Sequence, residues 1–325
     1  MLTLRFDFRL KAGSPATMHE LYNAALEMCQ WGERNNAITA MFSEHHSSSD
    51  GYLPSPIIMA AAAAARTETL TFNVGALLLL MYDPIKLAED IAVLDHLSDG
   101  RIGYTIGLGY REEEYAMFGV NSKRRGKDIE DRIHALRNAL SGKPFEWQGR
   151  KIHVQPEPAT PGGPIIAYGG GSKAAAERAA RLGMMFFPQT TDPIMSSYYD
   201  AEAERVGNPI GMTMGPEEGA PTTIFVAEDL DKAWEQYGPY MLHDATEYRK
   251  WMGEHNNSAS LSHATTITEL REEKGPYRIV TPEEAVSLIS QYHRLSLQPL
   301  CGGMPPEIAW ESLTLIEEKV VTSIP

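Results

Sequence analysis

Ser43-Glu44-His45-His46 closes the apolar run Ala37–Phe42 and begins the stretch, ending near Gly119, whose reading decides the fold. An alanine-rich segment follows, then a second apolar run at 70–80 that gives way to Asp83-Pro84. Next comes Asp95-His96-Leu97-Ser98-Asp99-Gly100-Arg101, which feeds a third run ending in Gly107-Leu108-Gly109-Tyr110. Each β-rich run hands over to polar or glycine-rich residues at its C-terminal end, the end at which (β/α) barrels assemble their active sites.

The same alternation extends outward in both directions. Residues 4–8 read as a strand, and 17–35 as an amphipathic helix with Leu21, Ala25, Met28 and Trp31 on one face and Thr17 with Glu20 as a capping box. Helices are expected over 55–66, from Pro84 to 97, and over 128–140, with strands at 70–79 and 101–107. Residues 145–154 form a hairpin turning at Gln148-Gly149, and later strands are expected at 165–168, 184–187, 222–226 and 297–301. Eight strand–helix units without a separating linker predict one parallel α/β domain over 1–325. The polar stretch 242–276 is too long for an ordinary connection and is expected to be an insertion or mobile lid.

Composition narrows the function classes. A net charge of -14 argues against nucleic acid or an anionic membrane as partner, because phosphates would be repelled. Cys29 and Cys301 are far apart and outside any CxxC pair, which fits a reducing, cytoplasmic setting and excludes a disulfide framework. The apolar runs at 57–65 and 74–81 are too short to span a bilayer.

Three groups of residues could carry chemistry. Glu44-His45-His46 sits just past a strand, where adjacent side chains point to opposite sides, so one histidine should face the barrel mouth and move protons near neutral pH. The tripeptide lacks the spacing of a zinc site. Gly169-Gly170-Gly171-Ser172 lies between a strand and a helix, where backbone N–H groups and the helix N-terminus attract an anion and Ser172 also serves as N-cap. Gly107 and Gly109 are not a dinucleotide fingerprint, since Glu112 takes the third glycine's place; they leave a strand end bare for a flat ring. Asp7 alternates with Phe6 and Phe8 and is a candidate for the barrel interior.

Taken in this order, Glu44-His45-His46, Asp83-Pro84, the Asp95–Arg101 run and Gly107-Leu108-Gly109 resemble the luciferase-like monooxygenase family, the flavin- or deazaflavin-dependent barrels that include bacterial luciferase. The resemblance covers nearly the whole chain. It implies a (β/α)8 TIM barrel of the bacterial luciferase-like type with insertion loops, with His45 as the active-site histidine beside Glu44. It further implies cofactor phosphate at Gly169, Gly170, Gly171 and Ser172, and a ring lying against Gly107 and Gly109. A non-proline cis peptide is expected at Leu77-Leu78, and Gln189 at the flavin edge. Luciferase carries a phosphate-binding arginine where this chain has Leu108; Arg111 or Lys173 could substitute. Asp95 and Arg101 mark membership and belong to the stability face.

The activity so implied is that of a two-component monooxygenase. Reduced FMN from a separate flavin reductase and O2 would oxygenate a small apolar substrate, in a homodimer paired through the outer helices of the early strands. Tyr110, Glu113-Glu114-Tyr115 and Arg124-Arg125-Gly126 also resemble the deazaflavin branch, so F420-dependent hydride transfer is the alternative. A flavin-binding relative without activity is a further one.

Overall fold

In the computed structural model, which describes residues 1–253 and 257–323, the alternation becomes one parallel sheet wrapped by helices. The first half runs β1 (Leu2–Phe6), α1 (Met18–Arg34), β2 (Ala37–Phe42), α2 (Pro56–Ala64), β3 (Thr71–Leu77), α3 (Pro84–Ser98) and β4 (Ile102–Ile106). Then come α4 (Glu112–Met117), α5 (Arg125–Leu140), the hairpin β5 (Phe145–Trp147) and β6 (Arg150–Ile152), β7 (Ile166–Gly170), α6 (Lys173–Arg181), β8 (Phe186–Pro188) and α7 (Ile194–Val206). The chain finishes with β9 (Thr223–Val226), α8 (Leu230–Met252), α9 (Ile267–Glu272), β10 (Tyr277–Val280), α10 (Pro282–Tyr292), β11 (Leu295–Leu297) and α11 (Pro306–Leu315).

The strand order is β10-β9-β11-β1-β2-β3-β4-β7-β8, with every ladder parallel. The last strands thus return beside the first, as a barrel requires, and all C-terminal ends meet at one mouth. Phe6 lies opposite Phe42 in the register, and Phe42 stacks on Phe6, Phe8 and Phe72 with centroids 5.7, 6.3 and 6.2 Å apart. This aromatic row fixes the register of the first three strands, because a one-residue slip would turn every ring to the wrong face.

Local signals read in the sequence hold. Thr17 and Glu20 make the reciprocal capping box that opens α1. Gln148 and Gly149 both have positive φ, 48° and 73°, as a two-residue hairpin turn demands. Arg101 donates to the carbonyls of Ala64, Thr67, Leu70 and Ser98, and Asp95 accepts from Thr160, so this pair stitches the end of the barrel away from the mouth. Cys29 and Cys301 are both buried and free. Among the described residues no helix is long and apolar enough to cross a membrane.

Four expectations need correction. The stretch 242–276 is not irregular throughout: α8 continues through Met252, α9 follows, and residues 254–256 lie outside the described residues. Pro239 sits inside α8 and disguised its length, since proline ordinarily ends a helix. The sheet has nine strands rather than eight, because Tyr277–Val280 pairs with β9. The strand that returns to β1 is Leu295–Leu297, while Cys301–Gly303 is a 3₁₀ turn. The non-proline cis peptide joins Gly75 to Ala76, not Leu77 to Leu78.

Candidate active site

His45 and His46 follow β2 and turn to different carboxylates. His45 Nδ1 lies 2.8 Å from Glu114 Oε1, and its Nε2 lies 3.1 Å from the Tyr110 hydroxyl. Glu114 Oε1 also accepts the His46 backbone N–H at 2.9 Å. Arg111 holds this corner by donating to the His46 carbonyl at 2.5 Å and to Glu114 at 3.4 Å. His46 Nε2 meets Glu44 Oε1 at 2.8 Å. Glu44 takes two further donors, the Tyr82 hydroxyl and the Leu78 N–H, and so ties the end of β2 to the end of β3. The carboxylate that serves His45 is therefore Glu114, and Glu44 serves His46.

Burial pushes His45 below the ordinary imidazole value, while its bond to Glu114 pulls the other way. Burial acts to raise Glu114, but the hydrogen bond and charge of His45, with help from Arg111, bring it below the ordinary carboxylate range. The pair thus sits as neutral imidazole and carboxylate. Nδ1 carries the proton toward Glu114, which leaves Nε2 as acceptor for Tyr110. Burial raises Tyr110 far enough that it remains a phenol and can donate. Tyr110, His45 and Glu114 form a continuous path for one proton, with its basic nitrogen at Nε2.

A second polar cluster lies beside it. Arg9, fully buried after β1, donates through Nε to Asp244 Oδ1 and through Nη1 to Asp50 Oδ2, each at 2.7 Å. Asp244, on α8, also accepts from the Tyr277 hydroxyl at 2.8 Å. Gln298 links Arg5, Thr223 and Asp7, which places Asp7 in the barrel interior as its alternation suggested. Burial and the nearby Asp244 push Asp7 well above the usual carboxylate range, whereas Arg9 and Arg5 overcome burial to hold Asp244 below it. Tyr52, Tyr248 and Trp251 stand around Arg9, their centroids 4.8, 4.6 and 4.1 Å from its guanidinium carbon. Trp251 also covers His45 at 4.8 Å between rings.

The residues expected to hold a cofactor fall into two groups. Leu78, Gly107 and Gly109 sit together, the Leu78 side chain lying 3.7 and 3.6 Å from where a Cβ on each glycine would point. At Gly107 the requirement is internal, since a Cβ would come within 2.6 Å of Ala76. Leu77 is fully buried. Gly169, Gly170 and Gly171 lead from β7 into α6, whose N-cap is Ser172. A Cβ on Gly169 or Gly170 would crowd Thr105 or Ala175, at 3.0 and 2.6 Å. One on Gly171 would meet nothing nearer than Asn257 at 3.5 Å and Gln189 at 3.8 Å. Gly171 is thus the point where the chain's own packing leaves the backbone open. Arg111 pairs with Glu114 through Nη1, and Lys173 is exposed beside Glu177. A cavity of about 1010 Å³ between α8, α9, β10 and α10 lies apart from the histidines.

Sequence reading missed Glu114, Tyr110 and Trp251 as partners of His45. Glu114 is 69 residues away, on α4 beyond the end of β4, a relation no local pattern displays. Asp244, Tyr248 and Trp251 did carry a signal, their i, i+4, i+7 spacing along α8.

Residues 5–297 match the family profile described as luciferase-like monooxygenase. The oxygenase component of the flavin-dependent trigonelline monooxygenase of Acinetobacter baylyi is 28% identical over 157 residues, 46% of this chain and 43% of that protein. Limonene 1,2-monooxygenase of Rhodococcus erythropolis is 30% identical over 167 residues, 45% and 42% of the two chains. This chain thus spans less than half the length of either relative. Among solved structures, monooxygenase RslO1 from Streptomyces bottropensis superposes with a TM-score of 0.75 at 22% identity, covering 99% of both chains. The FMN-bound oxygenating constituent of 3,6-diketocamphane monooxygenase from Pseudomonas putida gives 0.69 at 19%, over 99% and 98%. The F420-dependent tetrahydromethanopterin reductase of Methanopyrus kandleri gives 0.66 at 13%, over 100% and 99%.

Proposed function

The chain belongs to the luciferase-like monooxygenase family, and from that premise we propose that it is the oxygenase of a two-component flavin-dependent monooxygenase. The observation that carries this reading is the buried Tyr110–His45–Glu114 path at the barrel mouth. Such a path holds a basic nitrogen dry and oriented, as proton management during oxygen transfer requires. Gly171, at the N-terminus of α6, is where a cofactor phosphate would approach, with Gly170 and Ser172 shaping the turn. The barrel interior toward Gly107 and Gly109 would receive the ring, with Gln189 near Gly171 at the other side. Reduced FMN supplies two electrons to O2, so that one oxygen atom enters the substrate and the other leaves as water.

The chain's own residues do the rest. His45 Nε2 takes or returns the proton, Glu114 holds the ring in the tautomer that leaves Nε2 free, and Arg111 holds Glu114. Tyr52, Tyr248 and Trp251 exclude water around them. The electrons come from a separate flavin reductase. Exposed Ile58, Val93 and Leu97 on α2 and α3 support pairing into a homodimer through that face.

The test is an anaerobic titration with reduced FMN and with reduced F420, each followed by mixing with oxygenated buffer. Tighter binding of reduced FMN, and oxygen-dependent turnover lost in His45→Ala, is the expected result. Preference for F420 with indifference to oxygen would replace the reading with hydride transfer. Flavin binding with no dependence on His45 would leave only a binding protein.

A further inference from the structure

The centre of the site is filled by a ring from the chain itself. The Trp251 indole lies 4.1 Å from the Arg9 guanidinium carbon and 4.3 Å from that of Arg111. Its other neighbours are His45, Tyr52 and Tyr248, at centroid distances of 4.8, 5.8 and 5.8 Å. The surroundings are thus those of a slot for a flat ring, with cations against it and aromatic walls around it. Trp251 is only half-buried, sits two residues before Gly253 at the end of α8, and has no hydrogen-bond partner for its indole nitrogen among the described residues. Contact alone keeps it there.

The two guanidiniums keep donors in reserve. Among the described residues, Arg9 Nη2 and Arg111 Nε are buried without any hydrogen-bond partner, although Arg9 donates from Nε and Nη1 and Arg111 from Nη1. A buried charged donor left idle is costly, and in a site it marks the place of an acceptor that arrives with a ligand. Each guanidinium already faces carboxylates, Arg9 against Asp244 and Asp50 and Arg111 against Glu114. With Arg5 also beside Asp244, three guanidiniums face three carboxylates and no positive charge is in surplus, so an anion would be held by the idle N–H groups and a dianion is disfavoured.

We propose that Trp251 occupies the substrate's place, and that the substrate is a planar aromatic carboxylate whose ring displaces the indole and whose carboxylate takes the idle N–H groups of Arg9 and Arg111. This departs from the wholly apolar substrate suggested by the sequence. Calling the ligand a substrate rests on the monooxygenase reading; the binding site itself does not.

The experiment is calorimetric titration of the full chain, without flavin, using 2-naphthoate and the neutral 2-naphthamide. Trp251→Ala should bind 2-naphthoate at least tenfold more tightly than the wild type, Trp251→Phe should fall between, and the amide should bind at least tenfold more weakly than the acid. Arg111→Lys, placed in the Trp251→Ala background, keeps the charge but loses the Nε–H, and should reduce the preference for the acid severalfold while Arg9 retains the remainder. Equal affinity for acid and amide, or no gain on removing the indole, would overturn the proposal. So would mutually exclusive binding of 2-naphthoate and reduced FMN, which would give the slot to the cofactor. Failure of reduced FMN to bind, with the naphthoate results intact, would instead remove the monooxygenase reading and leave the acid-binding slot standing.

Discussion

Glu114→Gln is the change that bears most directly on the proton path. The substitution keeps the size of the side chain and an oxygen acceptor for His45 Nδ1 and the His46 N–H, but removes the charge. A hydrogen bond to a charged group contributes about 1.5–3 kcal/mol, and each 1.36 kcal/mol corresponds to roughly one pH unit. His45, already held below its ordinary value by burial and sustained only by Glu114, should therefore titrate about one to two units lower in the variant. Imidazole NMR titration of His45 reads this directly, and the acid limb of kcat/KM against pH should move down by the same amount. A shift smaller than about 0.3 unit would refute the claim that Glu114 sets the protonation of His45.

The same substitution tests the stability linkage. Because His45 titrates lower in the folded chain than in the unfolded one, its contribution is complete above about pH 6.5. It declines as pH falls below that value and levels off beneath the folded-state value. Glu114 titrates below its ordinary 4.5, so its contribution is present above that pH and is lost as pH falls through its folded-state value. The Gln variant loses the lower window and widens the upper one.

Asp244→Ala leaves Arg9 Nε and the Tyr277 hydroxyl without their acceptor, although Asp50 still holds Arg9 Nη1, and should cost about 3–5 kcal/mol in urea unfolding; a loss under about 1 kcal/mol would show that the cluster relaxes around the gap. Gly170→Ala drives a Cβ into Ala175 and should destabilise by about 1–3 kcal/mol. Gly171→Ala has room, so it should leave the melting temperature nearly unchanged while weakening reduced FMN binding; unchanged FMN affinity would move the phosphate elsewhere. Arg101→Ala removes charged donors from four carbonyls at the far end of the barrel and should cost about 1.5–3 kcal/mol without altering kcat in the cold.

What could be read in advance followed local rules. Ala37–Phe42 was legible to the residue because an apolar run ends at a polar tripeptide, and the Thr17–Glu20 cap because both partners lie within one turn. The placement of Glu44 and His45 at a strand end was likewise visible. Their partners were not: which carboxylate meets which histidine depends on how α4 follows β4, a choice made by tertiary packing. Tyr277–Val280 escaped because four residues before Thr281-Pro282 show too little alternation to declare a strand. Gly169 and Gly170 were read for a ligand, and the structure adds a packing reason for small residues there: a Cβ on Gly170 would strike Ala175, and one on Gly169 would press on Thr105.

Asp244 and Trp251 lie on the same stripe of α8, seven residues and about 10 Å apart along the axis. Asp244 is pinned to Arg9 and Tyr277 inside the wall, so the helix cannot tilt or slide as a rod without breaking those bonds. With the rod fixed there, Trp251 leaves by rotating about its own side-chain bonds or by unwinding of the turns beyond Asp244. The two routes separate by rate: entry governed by unwinding should accelerate with glycine and slow with alanine at exposed positions of residues 245–252, whatever the affinity of the ligand, whereas entry by side-chain rotation should ignore those changes.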